Sequence, residues 1–166
     1  MDPISETRLA LVNPELSRRI HQLADLVSFP FRITQGLRTY SEQDALFDQG
    51  RTAPGRIVTE AKGGYSAHNF GYAVDVVPFI NGVPDWNDRD AQWAEILAKA
   101  PSCGLSEGAT WRTFPDFPHL YPSECPADPT DEIRSLMASG GLQAVWAAIL
   151  PVESNAGDVT TASAEG

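Results

Sequence analysis

Apolar residues recur at helical spacing early in the chain, where Leu16, Ile20, Leu23 and Val27 form one stripe behind Asn13-Pro14. An asparagine cap with proline at the first helical position starts a helix, and Phe29-Pro30 ends it. The period then drops from 3.6 to 2. Phe31, Ile33 and Gln35 alternate with Arg32 and Thr34, which predicts a short strand. Ser41, with Asp44 three residues on, predicts a capping box and a helix that runs to Gly50. Residues 50–66 carry no period and predict a long loop, a class that is usually functional or disordered.

The second half follows the same logic. Residues 73–79 form a nearly continuous apolar run, a strand that turns at the hairpin dipeptide Asn81-Gly82. Asn87 or Asp88 is expected to cap a helix with Trp93, Ile96, Leu97 and Ala100 on one face, stopped by Pro101. A strand pair is expected around 105–111 and 118–121, and a last helix over 131–149, interrupted at Gly140-Gly141. The pattern predicts an α+β fold, a small antiparallel sheet with packed helices, in one domain over 1–150. Residues 151–166 are small, polar and acidic, which predicts a disordered tail.

Composition narrows the function more than the fold. A formal net charge of -10 argues against a nucleic-acid partner, because phosphate binding needs a basic surface. It argues equally against electrostatic attachment to anionic membranes or wall polymers. No apolar run approaches the roughly 18 residues needed to cross a bilayer, so no integral membrane segment is expected. The start, MDPISETRLALVNPE, lacks the basic flank, apolar stretch and cleavage site of a secretory signal. Synthesis in a cytoplasm is the expectation, with another exit route for any work outside it. Cys103 and Cys125 are too few for a disulfide framework and sit in no CxxC pair. Two free thiols are the default, and a single bridge stays open. A monomer is expected.

Of three histidines, His21 lies on the polar face of the first predicted helix, a structural position. The others lie in unusual surroundings. His68 occurs in Ser66-Ala67-His68-Asn69-Phe70-Gly71-Tyr72-Ala73-Val74-Asp75, and His119 follows Pro118 with Asp116 three residues before it. His68 and Asp75 are seven apart, an odd offset that would put them on opposite faces of one straight strand. Gly71 offers a break that lets His68 turn back on a loop. Asp75 interrupts an apolar strand, where a bare carboxylate costs several kcal/mol unless it is paired, hydrogen-bonded or metal-bound. Its ordinary alternative is a bulge or edge position bonded to backbone amides, and for His119 a hydrogen-bonded structural role. Two histidines and one aspartate together make a three-ligand zinc site with a fourth position for water. A nearby carboxylate would carry the proton.

Ser66-x-His68-x-x-Gly71-x-Ala73-x-Asp75 followed by Asp116-x-x-His119 resembles the zinc D-Ala-D-Ala carboxypeptidase family, nearest its L-alanyl-D-glutamate endopeptidase branch. Gln35-Gly36-Leu37-Arg38-Thr39 and Trp111-x-x-Phe114-x-Asp116-x-Pro118-His119 share in the likeness. The resemblance implies zinc held by His68, Asp75 and His119, with Asp116 as the catalytic carboxylate. It implies Arg38 as the group that binds substrate or polarises the scissile carbonyl. Gln43 and Ser66 would contact substrate or support the site, and Trp111 and Phe114 would wall the groove or pack the core. The carboxypeptidase and dipeptidase branches resemble Glu-x-x-His at the position of Asp116, so the aspartate favours the endopeptidases. The implied substrate is the peptidoglycan stem peptide, cut at L-Ala–D-Glu. The alternatives are a D-Ala-D-Ala carboxypeptidase and a catalytically silent, zinc-stabilised wall-binding module.

Overall fold

A computed structural model describes residues 1–151. The elements in chain order are α1 (Pro3–Leu9), α2 (Pro14–Leu26), β1 (Phe31–Gln35), α3 (Tyr40–Asp48), β2 (Val74–Ile80), β3 (Val83–Pro84), α4 (Ala91–Lys99), β4 (Leu105–Gly108), β5 (Asp116–Pro122) and α5 (Asp131–Ile149). Two short 3-10 turns, Ala67–Phe70 and Ala100–Cys103, join them. The α+β expectation holds. The sheet runs β1-β2-β5-β4 with every pair antiparallel, and β3 folds back on β2.

α2 starts as predicted. The Asn13 side-chain oxygen accepts from the Glu15 and Leu16 N–H groups at 2.8 and 3.3 Å, and Leu16, Ile20 and Leu23 are fully buried. Each such side chain contributes about 1.5–3 kcal/mol when removed from water. α1 has no counterpart in the predicted elements, yet it begins in the same way. Asp2 caps it, accepting from Ile4 and Ser5 at 2.9 and 3.0 Å, ahead of Pro3. Between β2 and β3, Asn81 (φ 52°) and Gly82 (φ 82°) both adopt the left-handed conformation, the geometry of a two-residue hairpin turn.

Three boundaries differ from expectation. α3 is capped by Thr39, whose hydroxyl accepts from Glu42 N–H while the Glu42 carboxylate accepts from Thr39 N–H at 2.8 Å. Ser41 and Asp44 make no such box, because Asp44 is turned outward to accept from Gly63 N–H at 2.7 Å. α4 begins after Asp90, not at Asn87 or Asp88. The Asn87 amide is spent on Asp90, to which it donates at 2.6 Å. β4 stops at Gly108, where Glu107 accepts from Thr110 N–H at 3.1 Å and turns the chain.

α5 is one assigned helix broken at Gly141 (φ 65°, ψ -163°), a backbone conformation open essentially only to glycine. Its second half returns to the body of the fold. Trp146 Nε1 donates to Phe70 O at 2.7 Å, and Asn13 Nδ2 donates to Leu150 O at 3.3 Å. Cys103 and Cys125 are buried free thiols with no bridge, and burial pushes the Cys125 thiol up to about 12. No described helix is long and apolar enough to cross a membrane. Apart from Pro151, the predicted tail lies outside the described residues.

Candidate metal centre

The site is assembled from two neighbouring strands and one turn. Asp75 on β2 is the register partner of His119 on β5, so the two side chains share one face of the sheet. His68 reaches them from the 3-10 turn Ala67–Phe70. Gly71 closes that turn in the left-handed conformation (φ 65°), and a Cβ there would stand 3.0 Å from the Trp146 ring. Both constraints require glycine. The odd spacing of His68 and Asp75 is resolved by this reversal, as expected.

The donor atoms converge. His68 Nε2 lies 3.2 Å from Asp75 Oδ1 and 3.2 Å from His119 Nδ1, and His119 Nδ1 lies 3.4 Å from Asp75 Oδ1. Ligands bound at about 2.0–2.1 Å in a tetrahedron stand roughly 3.3–3.4 Å apart, so the trio fits zinc. The tautomer fits as well. Gly36 O lies 2.9 Å from His68 Nδ1, which places the proton there and leaves the Nε2 lone pair facing the cluster. His119 Nδ1 faces the same point. Its Nε2 is buried without a hydrogen-bond partner among the described residues, its ring lying 4.9 Å from Trp111 and 5.7 Å from Tyr121. The three residues form a buried His-His-Asp cluster able to hold a divalent ion.

A family model described as phage L-alanyl-D-glutamate peptidase matches residues 1–119. The chain belongs to that family. Among curated relatives, the peptidoglycan L-alanyl-D-glutamate endopeptidase CwlK of Bacillus subtilis is 40% identical over 96 residues, 53% of this chain and 58% of the relative. The L-alanyl-D-glutamate peptidase of Escherichia phage T5 is 34% identical over 118 residues, 68% of this chain and 82% of the relative. The match thus spans less than two thirds of the Bacillus protein and more than two thirds of the phage one. In solved structures the fold recurs in the Serratia marcescens L-Ala D-Glu endopeptidase ChiX (TM-score 0.55, 24% identity, 74% of this chain and 88% of that one). It recurs also in the LD-carboxypeptidase LdcB (TM-score 0.55, 16% identity, 76% of this chain and 63% of that one).

Around the three family ligands, a hollow of about 270 Å³ brings together Arg38, Asp116, Ser66 and Trp111. Burial would raise the Asp75 carboxyl, but the charge of His68 and the hydrogen bonds of both histidines hold it well below the usual carboxylate range. Asp116 goes the other way. Burial and then the Asp75 charge raise it, against the pull of His119, His68 and Arg38. Its neighbour Gly108 is its register partner, and a Cβ at 108 would meet Asp116 O at 2.7 Å and His119 Cβ at 3.1 Å. Only a glycine lets β4 approach this closely.

Arg38 is no surface ion pair. Its side chain is 10% exposed, and Nη2 lies 3.6 Å from Asp75 Oδ2. Gln43 does not reach the hollow. It is fully buried and accepts from Arg38 Nη1 at 2.8 Å while its Nε2 donates to Ala61 O at 2.8 Å, so it links the arginine to the groove wall. Asn69, beside His68, was not singled out from sequence. Its amide donates to Arg38 O and Thr39 O at 2.9 and 3.2 Å and accepts from Gly64 N–H at 2.9 Å. Its signal was available, since a buried amide beside a ligand histidine needs several partners. The hollow shares Tyr65, Trp111 and Asp116 with a groove of about 500 Å³ that Phe114 also walls. It shares Arg38 and Tyr65 with an apolar hollow of about 600 Å³.

Proposed function

We propose that the protein hydrolyses the L-Ala–D-Glu bond of peptidoglycan stem peptides as a zinc endopeptidase. The observation that carries this reading is the convergence of His68, Asp75 and His119 beside a raised Asp116, in a chain of this family. His68, Asp75 and His119 would hold zinc, which would supply Lewis-acid polarisation of the scissile carbonyl and a more acidic water. Asp116 takes the proton of the attacking water and delivers it to the leaving amine, a task suited to a carboxyl whose proton affinity burial and the Asp75 charge raise. Arg38 faces the substrate carbonyl, steadied by Gln43 and Asp75. Trp111 and Ser66 line the hollow and contact the peptide. One chain supplies every group, which supports action as a monomer, and a charge of -10 supports a substrate other than nucleic acid.

Two larger hollows border that of the cluster, one sharing Tyr65, Trp111 and Asp116 with it and the other Arg38 and Tyr65. That favours an internal bond over the D-Ala-D-Ala carboxypeptidase alternative, which needs a closed end to recognise a terminal carboxylate. Digestion of purified peptidoglycan tests the reading. Mass spectrometry with amino-group labelling should find new amines on D-Glu and L-Ala retained on muramic acid. Free D-Ala as the main product would establish the carboxypeptidase instead, and wall binding without any product would establish a silent binding module.

A further inference from the structure

The apolar hollow beyond Arg38 has no part in the chemistry above. Its walls come from three segments: Leu37 and Tyr40 before and within α3, Gly64-Tyr65 from the long loop, and Met137, Ala138 and Leu142 from α5. Tyr40 and Tyr65 stay 40% and 53% exposed, a large apolar area left open to solvent beside a catalytic centre. Arg134 is its one charged side chain besides Arg38, with its guanidinium 4.5 Å above the Tyr65 ring. The groove walled by Trp111 and Phe114 differs in kind. Its charged lining residues are Glu60, Asp116 and Asp128, all acidic.

Substrate chemistry discriminates between these two arms, and the argument rests on the L-Ala–D-Glu reading. On the amine side of that bond lie both ionic groups, the free carboxylate of D-Glu and the ammonium of a diamino acid. On the acyl side lie one alanine, a lactyl group and the N-acetylated sugar ring of muramic acid, with no charged group. At most about 3.3–3.6 Å per residue, alanine and lactyl place the sugar within roughly 7 Å of the scissile carbonyl. The hollow that shares Arg38 and Tyr65 with the catalytic centre is inside that reach. We propose that it is the subsite for the N-acetylmuramoyl group. The C–H face of the sugar, the lactyl methyl and the acetyl methyl supply apolar surface to set against Tyr40, Tyr65 and the α5 wall, while the acidic groove takes the ammonium-bearing end.

The test compares a muramoyl tripeptide with the same tripeptide carrying an acetyl cap in place of the sugar. The zinc-loaded wild type should cleave the muramoyl substrate with kcat/KM higher by on the order of tenfold, mostly through KM. Ala138→Trp, on an exposed helical position, fills the hollow, and Leu142→Ser removes part of its wall. Both variants should lose the preference for sugar while cleaving the capped peptide as the wild type does. Equal cleavage of the two substrates by the wild type, or a preference that survives Ala138→Trp, overturns the subsite and leaves the endopeptidase reading intact. Cleavage of neither substrate removes that reading, and the subsite with it.

Discussion

Along β2, Val76 is fully buried in the apolar core, whereas one residue earlier Asp75 sits against two imidazoles and a guanidinium. The same strand is held by non-directional burial in one half and by atom-to-atom geometry in the other. Burial tolerates exchanges of similar volume, because what counts is area taken from water. The polar end has no such tolerance: three ligand atoms must converge on one point, and a missing one leaves a buried charge or lone pair uncompensated. Stability and chemistry should therefore separate along one strand and its supports.

Asp75→Ala attacks the polar end and should have the largest effect. Bound zinc, measured by elemental analysis, should fall from one per chain toward none, and the rate by more than the roughly 10²–10⁴ that loss of an acid–base group costs. Full zinc occupancy in this variant would strike Asp75 from the ligands. Asp116→Asn sharpens the comparison within the site itself: zinc and fold should persist while turnover drops by about 10²–10⁴. Loss of zinc instead would make Asp116 a ligand. Ile20→Ala attacks the apolar half through α2. Urea unfolding should show about 2–5 kcal/mol of lost stability, with zinc content and turnover per folded molecule unchanged. A fall in turnover of the folded fraction would show that packing and chemistry are coupled.

The smallest effect concerns an ion pair within α2. The Arg18 guanidinium, joined by Arg19, holds the Glu15 carboxyl down to about 2 against a reference of 4.5. A carboxyl with a lowered folded-state pKa adds stability above its unfolded value and loses it as pH falls toward the folded one. Glu15→Gln should therefore flatten the decline in melting temperature between pH about 4.5 and about 2 and weaken the protein slightly above that window. An unchanged acid limb would show that the pairing with Arg18 and Arg19 contributes nothing to folding.

The legible parts of the molecule were those with a local signature. The stripe of Leu16, Ile20 and Leu23, the Asn81-Gly82 turn and the glycine break of α5 each write their geometry within a few residues. Asp75 was legible as an anomaly, a charge in an apolar run, and with His68 and His119 it marked the cluster before any fold was known. What escaped depends on distant partners. Gln43 was open between substrate contact and support of the site, and what turns it to support is a loop 18 residues on, whose Ala61 carbonyl claims its amide. The cap of α3 lay two residues early, because Asp44 answers to Gly63 rather than to its own helix. α1 was missed for a different reason: its Asp2-Pro3 signal was present, but seven residues are too few for a periodic stripe.

The contact of Trp146 with the Phe70–Gly71 turn has a consequence for protein engineering. The family match ends at His119, so every ligand lies inside it, while the indole that backs the His68 turn lies 27 residues outside. Homology and mechanical completeness therefore have different limits in this chain. A designer who transplants the ligand-bearing segment into another scaffold, or trims the enzyme to the shared region, inherits the metal chemistry without its backstop. Any such minimal enzyme needs a new aromatic wedge against Gly71, or it should trade metal affinity for brevity.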